Sequence, residues 1–331
     1  MDLAAVHPDV EALIAAAKAA GSKPFEALSP PEARVAAAAR RVVLQLPPEP
    51  VSEASDGVID GPAGPVATRL YRPAGEPAET VLPCLVYIHG GGWVFGDLES
   101  HDALCRRLAN QARCCVVSVH YRLAPEHPFP AAVEDCVAAW KAITSGARAL
   151  RIDATRIAIG GDSAGGALAA AIALMGRDGD LAAPLHQTLI YPAVDLEQDL
   201  ESYGPNSPGM MISGATMIYF RDHYTPRSAD RRDWRASPLK AESFAGLAPA
   251  LVITCGHDPL SVEGSAFARR LAEADVRVTH LHLSDQTHGM ITMTRVIRTA
   301  IGLQDYVAAA LREAFEAFEA PIGKEARSNE G

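Results

Sequence analysis

The 331-residue chain is short of positive charge: 30 Lys and Arg stand against 40 Asp and Glu, a formal net charge of −10. An acidic surface disfavours a nucleic-acid partner, whose phosphates demand a basic footprint, and disfavours anionic substrates drawn in by charge. No cluster of Lys and Arg resembles a polybasic membrane patch. The first residues lack the basic stretch and apolar core of a signal peptide, since Asp2, Asp9 and Glu11 come early, and no membrane span is expected. The six cysteines, Cys84, Cys105, Cys114, Cys115, Cys136 and Cys255, show no paired zinc-type spacing. They read as buried reduced thiols, which points to a reducing compartment and a cytoplasmic location. Phosphate-loop patterns are also missing: no Gly-x-Gly-x-x-Gly opens a helix, and no Lys-Ser or Lys-Thr follows a glycine run. What is present is 48% hydrophobic content, enough for one large α/β domain with an added lobe.

The apolar pattern sets the order of elements. Val10, Leu13, Ile14 and Ala17 recur at helical spacing, and a second helix is expected over about 32–44, with Ser29 as its cap and prolines near its first turn. The stretch from Val58 to Tyr71 reads as two strands around a Gly/Pro turn. Pro83–His89 and Cys114–Val119 are uninterrupted apolar runs, as fully buried strands require. Helical patterns at 103–111 and 131–144 alternate with them, which predicts βαβ units and a mainly parallel sheet. Further strands are expected at 185–191, 251–255 and 276–283, with helices at 265–274 and 305–318. Between Pro192 and Pro238 no buried strand appears. Met210, Met211, Ile212, Met217, Ile218, Tyr219 and Phe220 suggest instead an insertion over one face, suited either to an apolar binding wall or to the lobe's own small core.

The chemistry-bearing stretch is Arg156–Ile172. It reads as a short strand, then Gly161-Asp162-Ser163-Ala164-Gly165, then a small-residue helix. This is the strand–turn–helix context of a nucleophile elbow, where the glycines leave room for the chain to double back and the helix N-terminus favours a developing anion. Serine alone is a poor nucleophile and needs a base that is itself oriented by an acid. In a parallel sheet such residues gather beyond the carboxyl ends of strands. Asp258 follows the strand at 251–255 and His288 the strand at 276–283, so both loops open on the edge that carries Ser163. Competing histidines have poorer contexts: His89 reads as a brace for its glycine loop, His280 and His282 lie within a strand, His257 directly precedes the acid, and His101, His120, His127 and His223 have no elbow-like setting. Asp285 shares a short loop with the base it would orient, and Asp195 lies in the insertion. Finally, His89-Gly90-Gly91-Gly92-Trp93 ends a buried strand where backbone N–H groups can turn inward to hold an oxyanion. These four features point to a hydrolase.

His89–Trp93, the block Tyr121–Ala132, Gly161–Gly166 and Asp258-Pro259-Leu260 together resemble the hormone-sensitive-lipase-like esterases, bacterial family IV, over nearly the whole chain. The resemblance implies an α/β-hydrolase fold: an eight-stranded, mainly parallel sheet with helices on both faces and a helical cap. Residues 51–192 and 238–320 would form the core, and 1–50 and 193–237 the cap, with 321–331 a loose tail. It implies Ser163 as nucleophile, His288 as base and Asp258 as orienting acid, with the amides of Gly91, Gly92 and Ala164 as oxyanion donors. Arg122 and Glu126 would share a buried polar network under the site. Trp93, Met210, Met211, Phe220, Leu260 and Met290 are the candidate pocket residues. Two departures bear on that pocket: Ser261-Val262 stands where the family has a charged pair, and Met290 where an aromatic is common. The expected activity is hydrolysis of short- to medium-chain esters through an acyl-serine, with no metal or cofactor. The expected partner is a small-molecule ester, a homodimer being compatible with the chain. A receptor that had lost catalysis would lack His288, and a lipase acting at an oil interface would need a large exposed apolar lid.

Overall fold

The computed structural model describes residues 4–203 and 209–319. Helix α1 (Pro8–Ala19) is followed by α2 (Pro30–Leu44). The start of α2 is fixed by a capping box. The Glu32 carboxylate accepts from the Ser29 amide at 2.8 Å and from its hydroxyl at 2.6 Å. Pro30 and Pro31 fill first-turn positions whose N–H groups have no helical partner, so the helix begins two residues before the expected boundary.

Strands β1 (Glu53–Gly61) and β2 (Gly64–Arg72) form the expected hairpin, and β3 (Leu82–Ile88) follows. Then come α3 (Asp102–Ala112), β4 (Cys115–His120), α4 (Ala131–Gly146), β5 (Ile152–Asp162), α5 (Ala164–Arg177), β6 (Gln187–Ile190) and α6 (Gly214–Tyr224). The chain closes with β7 (Ala250–His257), α7 (Ser261–Glu273), β8 (Val278–Thr287) and α8 (Thr299–Glu319). All eight strands join one sheet in the order β1-β2-β4-β3-β5-β6-β7-β8, antiparallel at β1/β2 and β2/β4 and parallel from there on. The eight-stranded, mainly parallel sheet expected from the resemblance is therefore present. The expected tail at 321–331 lies outside the described residues.

Period-two alternation divides the core between the two faces of the sheet. Along β3, Cys84, Val86 and Ile88 pack with α4 and α5 on one side, while Leu85 and Tyr87 pack with α3 and α8 on the other. Such burial contributes roughly 1.5–3 kcal/mol for each large apolar side chain. All six cysteines are buried and free, as their apolar settings suggested, and burial pushes each of their thiols up. Strand β8 runs further than expected, to Thr287. As an edge strand it alternates polar and half-exposed residues, so its carboxyl half carries no apolar run to read. The extension matters because the pairing of Thr287 with His257 delivers His288 beside Asp258. Among the described helices none is long and apolar enough to cross a membrane.

Candidate active site

Four loops meet at the carboxyl edge of the parallel strands. Strand β5 ends at Asp162, and the chain then turns sharply at Ser163, whose φ of 55° and ψ of −120° lie outside the usual regions for a residue with a side chain. Holding a residue there costs about 1–3 kcal/mol. The turn is secured by the Ser163 amide donating to Ile190 O at 2.9 Å, and by the Ala167 and Ala193 amides donating to Ser163 O at 3.1 and 3.2 Å. Gly165 is glycine because a Cβ there would collide with the carbonyl oxygens of Ile88 and His89, where the elbow crosses β3.

Beyond β7, Asp258 is 3% exposed and its Oδ1 accepts from the Leu260 amide at 2.9 Å. Its Oδ2 lies 2.8 Å from His288 Nδ1, and His288 Nε2 lies 2.9 Å from Ser163 Oγ. A carboxylate can only accept, so Nδ1 carries the proton and donates to Asp258, leaving Nε2 to accept from the Ser163 hydroxyl. The Tyr191 ring packs 4.5 Å from the imidazole and limits its rotation. Ser163 and His288 are 8% and 7% exposed, so the pair is shielded yet reachable. The three residues singled out from the sequence thus form one hydrogen-bonded chain, whereas Asp285 and Asp195 make no hydrogen bond or ion pair with His288 among the described residues.

Above Ser163 the loop after β3 turns through Gly91 (φ 119°), Gly92 (φ 59°) and Trp93 (φ 59°). The amides of Gly91, Gly92 and Ala164 make no hydrogen bond among the described residues, so all three remain available as donors. His89 braces this loop. Its Nδ1–H donates to Gly90 O at 2.8 Å, its Nε2 accepts from His120 Nδ1 at 3.3 Å, and its ring stacks on Tyr121 at 4.4 Å. Burial, with the neighbouring His101 and His120, pulls its pKa down to about 3, so it stays neutral near pH 7.

Ser163 and His288 line a cavity of about 390 Å³ together with Gly90, Gly91, Gly92 and Gly289. Of the expected pocket residues, Met211 and Phe220 are in its wall. Phe220 lies directly over Gly92, where a Cβ would run into the ring. Trp93, Leu260 and Met290 are not in the wall: Trp93 stacks flat on Tyr224 at 4.4 Å, and Leu260 and Met290 are buried in the two cores. Met210 is half-buried and outside the wall as well.

Sequence reasoning placed residues 1–50 in a cap but singled out none of them for the pocket. Arg34, Ala37, Ala38, Arg41 and Leu44, with the C-cap residue Gln45, form one stripe along α2 and close the cavity from above. Phe25, ahead of α2, completes an aromatic cluster with Phe95 at 4.7 Å and Phe220 at 6.0 Å. Glu126 also departs from expectation. It is half-exposed and forms a two-pronged ion pair with Arg34, at 2.5 Å for its closest contact, whereas Arg122 is held by the buried Asp135. A second cavity, of about 330 Å³, opens at the amino ends of β6 and β7 beside Leu185, His186 and Tyr306, on the edge of the sheet away from Ser163.

Comparisons with known proteins agree with this fold. A family profile described as the α/β hydrolase fold matches residues 85–292. The chain is 42% identical over 247 residues to the carboxylic ester hydrolase LipN of Mycobacterium tuberculosis, a match covering 73% of this chain and 65% of LipN. It is 37% identical to an ethyl acetate hydrolase of Pseudomonas putida, over 89% of this chain and 95% of that one. Among solved structures it is similar to an α/β hydrolase enzyme from the metagenome of Lake Arreo, Spain, with a TM-score of 0.89 and 41% identity over 94% of this chain and 99% of that one.

Proposed function

This chain belongs to the α/β hydrolase family, among the hormone-sensitive-lipase-like carboxylic ester hydrolases, and from that premise we propose that Ser163, His288 and Asp258 are a catalytic triad that splits short- to medium-chain acyl esters through an acyl-serine. The observation that carries the reading is the unbroken hydrogen-bond chain from Asp258 through His288 to Ser163 at the floor of a cavity roofed by α2. As Ser163 Oγ attacks the ester carbonyl, its proton passes to His288 Nε2. The carbonyl oxygen takes up the negative charge and is held by the free amides of Gly91, Gly92 and Ala164. The imidazolium then returns the proton to the departing alcohol, leaving the acyl group on Ser163. Water, losing a proton to His288, releases the carboxylic acid by the same path in reverse. Asp258 holds the imidazole in the tautomer that these steps need.

The same reading gives the polypeptide two parts. Residues 51–192 and 238–320 carry the chemistry, and 1–50 with 193–237 act as a cap, since Phe25, α2, Met211 and Phe220 form the roof and wall over Ser163. A cavity of about 390 Å³ is near the lower end of the usual range for small-molecule sites. That size favours short and medium acyl chains. The test is turnover of a p-nitrophenyl ester series of increasing chain length by the wild type and by Ser163→Ala. Activity should peak at short or medium chains, and Ser163→Ala should lose on the order of 10⁶ in kcat. Turnover surviving in that variant would rule out the nucleophile, and a peak at long chains would rule out the substrate class.

A further inference from the structure

We propose that Asp162 is a positioning residue, which sets the distance between the nucleophile and the oxyanion loop by holding the first amide of that loop. The proposal rests on the reading of Ser163 and the glycine loop given above. Asp162 immediately precedes Ser163 and is 6% exposed. Its Oδ1 gathers groups from three elements: the Tyr87 hydroxyl of β3 at 2.8 Å, the Gly90 amide of the oxyanion loop at 3.1 Å, and His101 Nε2, which lies 3.0 Å away. His101 is itself held by a Ser100 Oγ–His101 Nδ1 contact of 2.9 Å. Burial pushes the Asp162 carboxyl up, but His101 and Tyr87 outweigh it and keep it below the ordinary carboxylate range, so a full negative charge is maintained there.

The backbone bonding of the loop explains why this matters. Gly90, Gly91 and Gly92 present three successive amides. The first is taken by Asp162, while the second and third are free and lie in the cavity wall beside Ser163. Consecutive glycines have no side chains to fix their peptide planes, so the direction of those amides depends on what anchors the loop. At its far end the Val94 and Phe95 amides donate to Gly91 O at 3.1 and 3.0 Å, and the Ala124 amide to Trp93 O at 2.8 Å. At its near end the Gly90 amide has one partner, Asp162. Gly90 is glycine for the same reason, since a Cβ there would overlap the Asp162 carboxylate. Because Asp162 is covalently joined to Ser163, a single hydrogen bond ties nucleophile and anion-binding amides into one unit. A misplacement of about 1 Å at such a site costs on the order of 10²-fold in rate.

The experiment compares Asp162→Ala, which removes the acceptor, with Asp162→Asn, which keeps a carbonyl oxygen for Gly90. Both are assayed with p-nitrophenyl butyrate and with a trifluoromethyl ketone whose hemiketal adduct occupies the oxyanion site. The alanine variant should lose about 10²-fold in kcat with KM nearly unchanged, and its inhibition constant should rise in parallel. Asparagine should restore most of both. Equal losses in the two variants, or a fall in melting temperature with kcat intact, would overturn the proposal. Should the alanine variant fail to fold, Asp162→Glu takes its place. The longer carboxylate displaces the loop and should lose about 10²-fold in kcat with KM nearly unchanged and the inhibition constant raised in parallel. A folded Asp162→Glu variant with kcat and inhibition constant intact would contradict the assignment. Ser163→Ala is run alongside: if it is inactive while the Asp162 variants are unimpaired, this inference alone fails, and if it is active the underlying triad fails.

Discussion

Ser163 is held in a backbone conformation that a free serine avoids, and its neighbours carry the cost. Gly165 lets the elbow pass under the carbonyls of β3. A methyl group there has nowhere to go, so Gly165→Ala should lower stability by about 1–3 kcal/mol, read from the denaturant midpoint. Phe220 is the residue whose ring caps Gly92 and walls the cavity. Phe220→Ala should move the acyl-chain optimum toward longer esters in the p-nitrophenyl series; an unchanged optimum would mean that the ring only packs the lobe. Asp258→Asn should cost about 10⁴ in kcat by favouring the wrong imidazole tautomer, with little change in KM. Ser163, Asp258 and His288 are legible in the sequence because each follows a strand pattern and all three strands are parallel. The places of Trp93, Leu260 and Met290 are not, because an apolar residue near the site announces burial without saying whether it faces the cavity or the core. The roles of Asp162 and His101 are hidden as well, because their partners, Tyr87 and the Gly90 amide, are brought to them only by the fold.

At the level of elements, α2 shows the limit of helical periodicity. Its small and charged residues mark an amphipathic helix, but the stripe from Arg34 to Gln45 that faces the cavity has no signature distinguishing it from a solvent face. The anchoring bond is the Arg34–Glu126 pair, which ties α2 to the loop before α4. Hydrogen bonding by Arg34 pulls the Glu126 carboxyl down to about 2 from its ordinary 4.5. A carboxylate with a lowered folded-state pKa contributes stability that is present above about pH 4.5 and is lost as pH falls toward about 2. The melting-temperature gap between wild type and Glu126→Gln should therefore be open at neutral pH and close through that window, and it should shrink with salt because the pair is half-exposed. Glu263, in the first turn of α7, behaves in the opposite sense. It is buried, accepts from the Val194 amide at 2.6 Å and the Asp195 amide at 3.1 Å, and burial raises its pKa well above the ordinary value. A raised carboxyl makes the protein less stable as pH climbs above about 4.5, because only the unfolded chain readily gives up the proton. Glu263→Gln, neutral throughout, should gain on wild type in melting temperature as pH rises from about 5 to 8. A gap that narrows instead would mean that Glu263 is ionised in the fold.

For the whole molecule, the alternation of apolar runs and helical segments is enough to give the parallel sheet, because strands buried on both faces leave continuous apolar stretches. The edge strand β8 is longer than its apolar pattern since it is buried only in part, and its last residues are the ones that bring His288 to Asp258. The carboxyl ends of β3, β5, β7 and β8 converge on one edge of the sheet. There they bring the glycine loop to one cavity with Ser163 and His288, and hold Asp258, His288 and Ser163 in one hydrogen-bonded chain, under a roof built from Phe25, α2 and α6. The central claim is that one serine out of all those in the chain forms the covalent intermediate. The direct measurement is labelling with an excess of an alkyl p-nitrophenyl phosphonate, followed by mass spectrometry of the intact protein and its peptides. The account predicts loss of activity in step with one phosphonyl group per chain, carried on Ser163 and absent from Ser163→Ala. Inactivation with the label on another residue, or full activity with Ser163 modified, would contradict it.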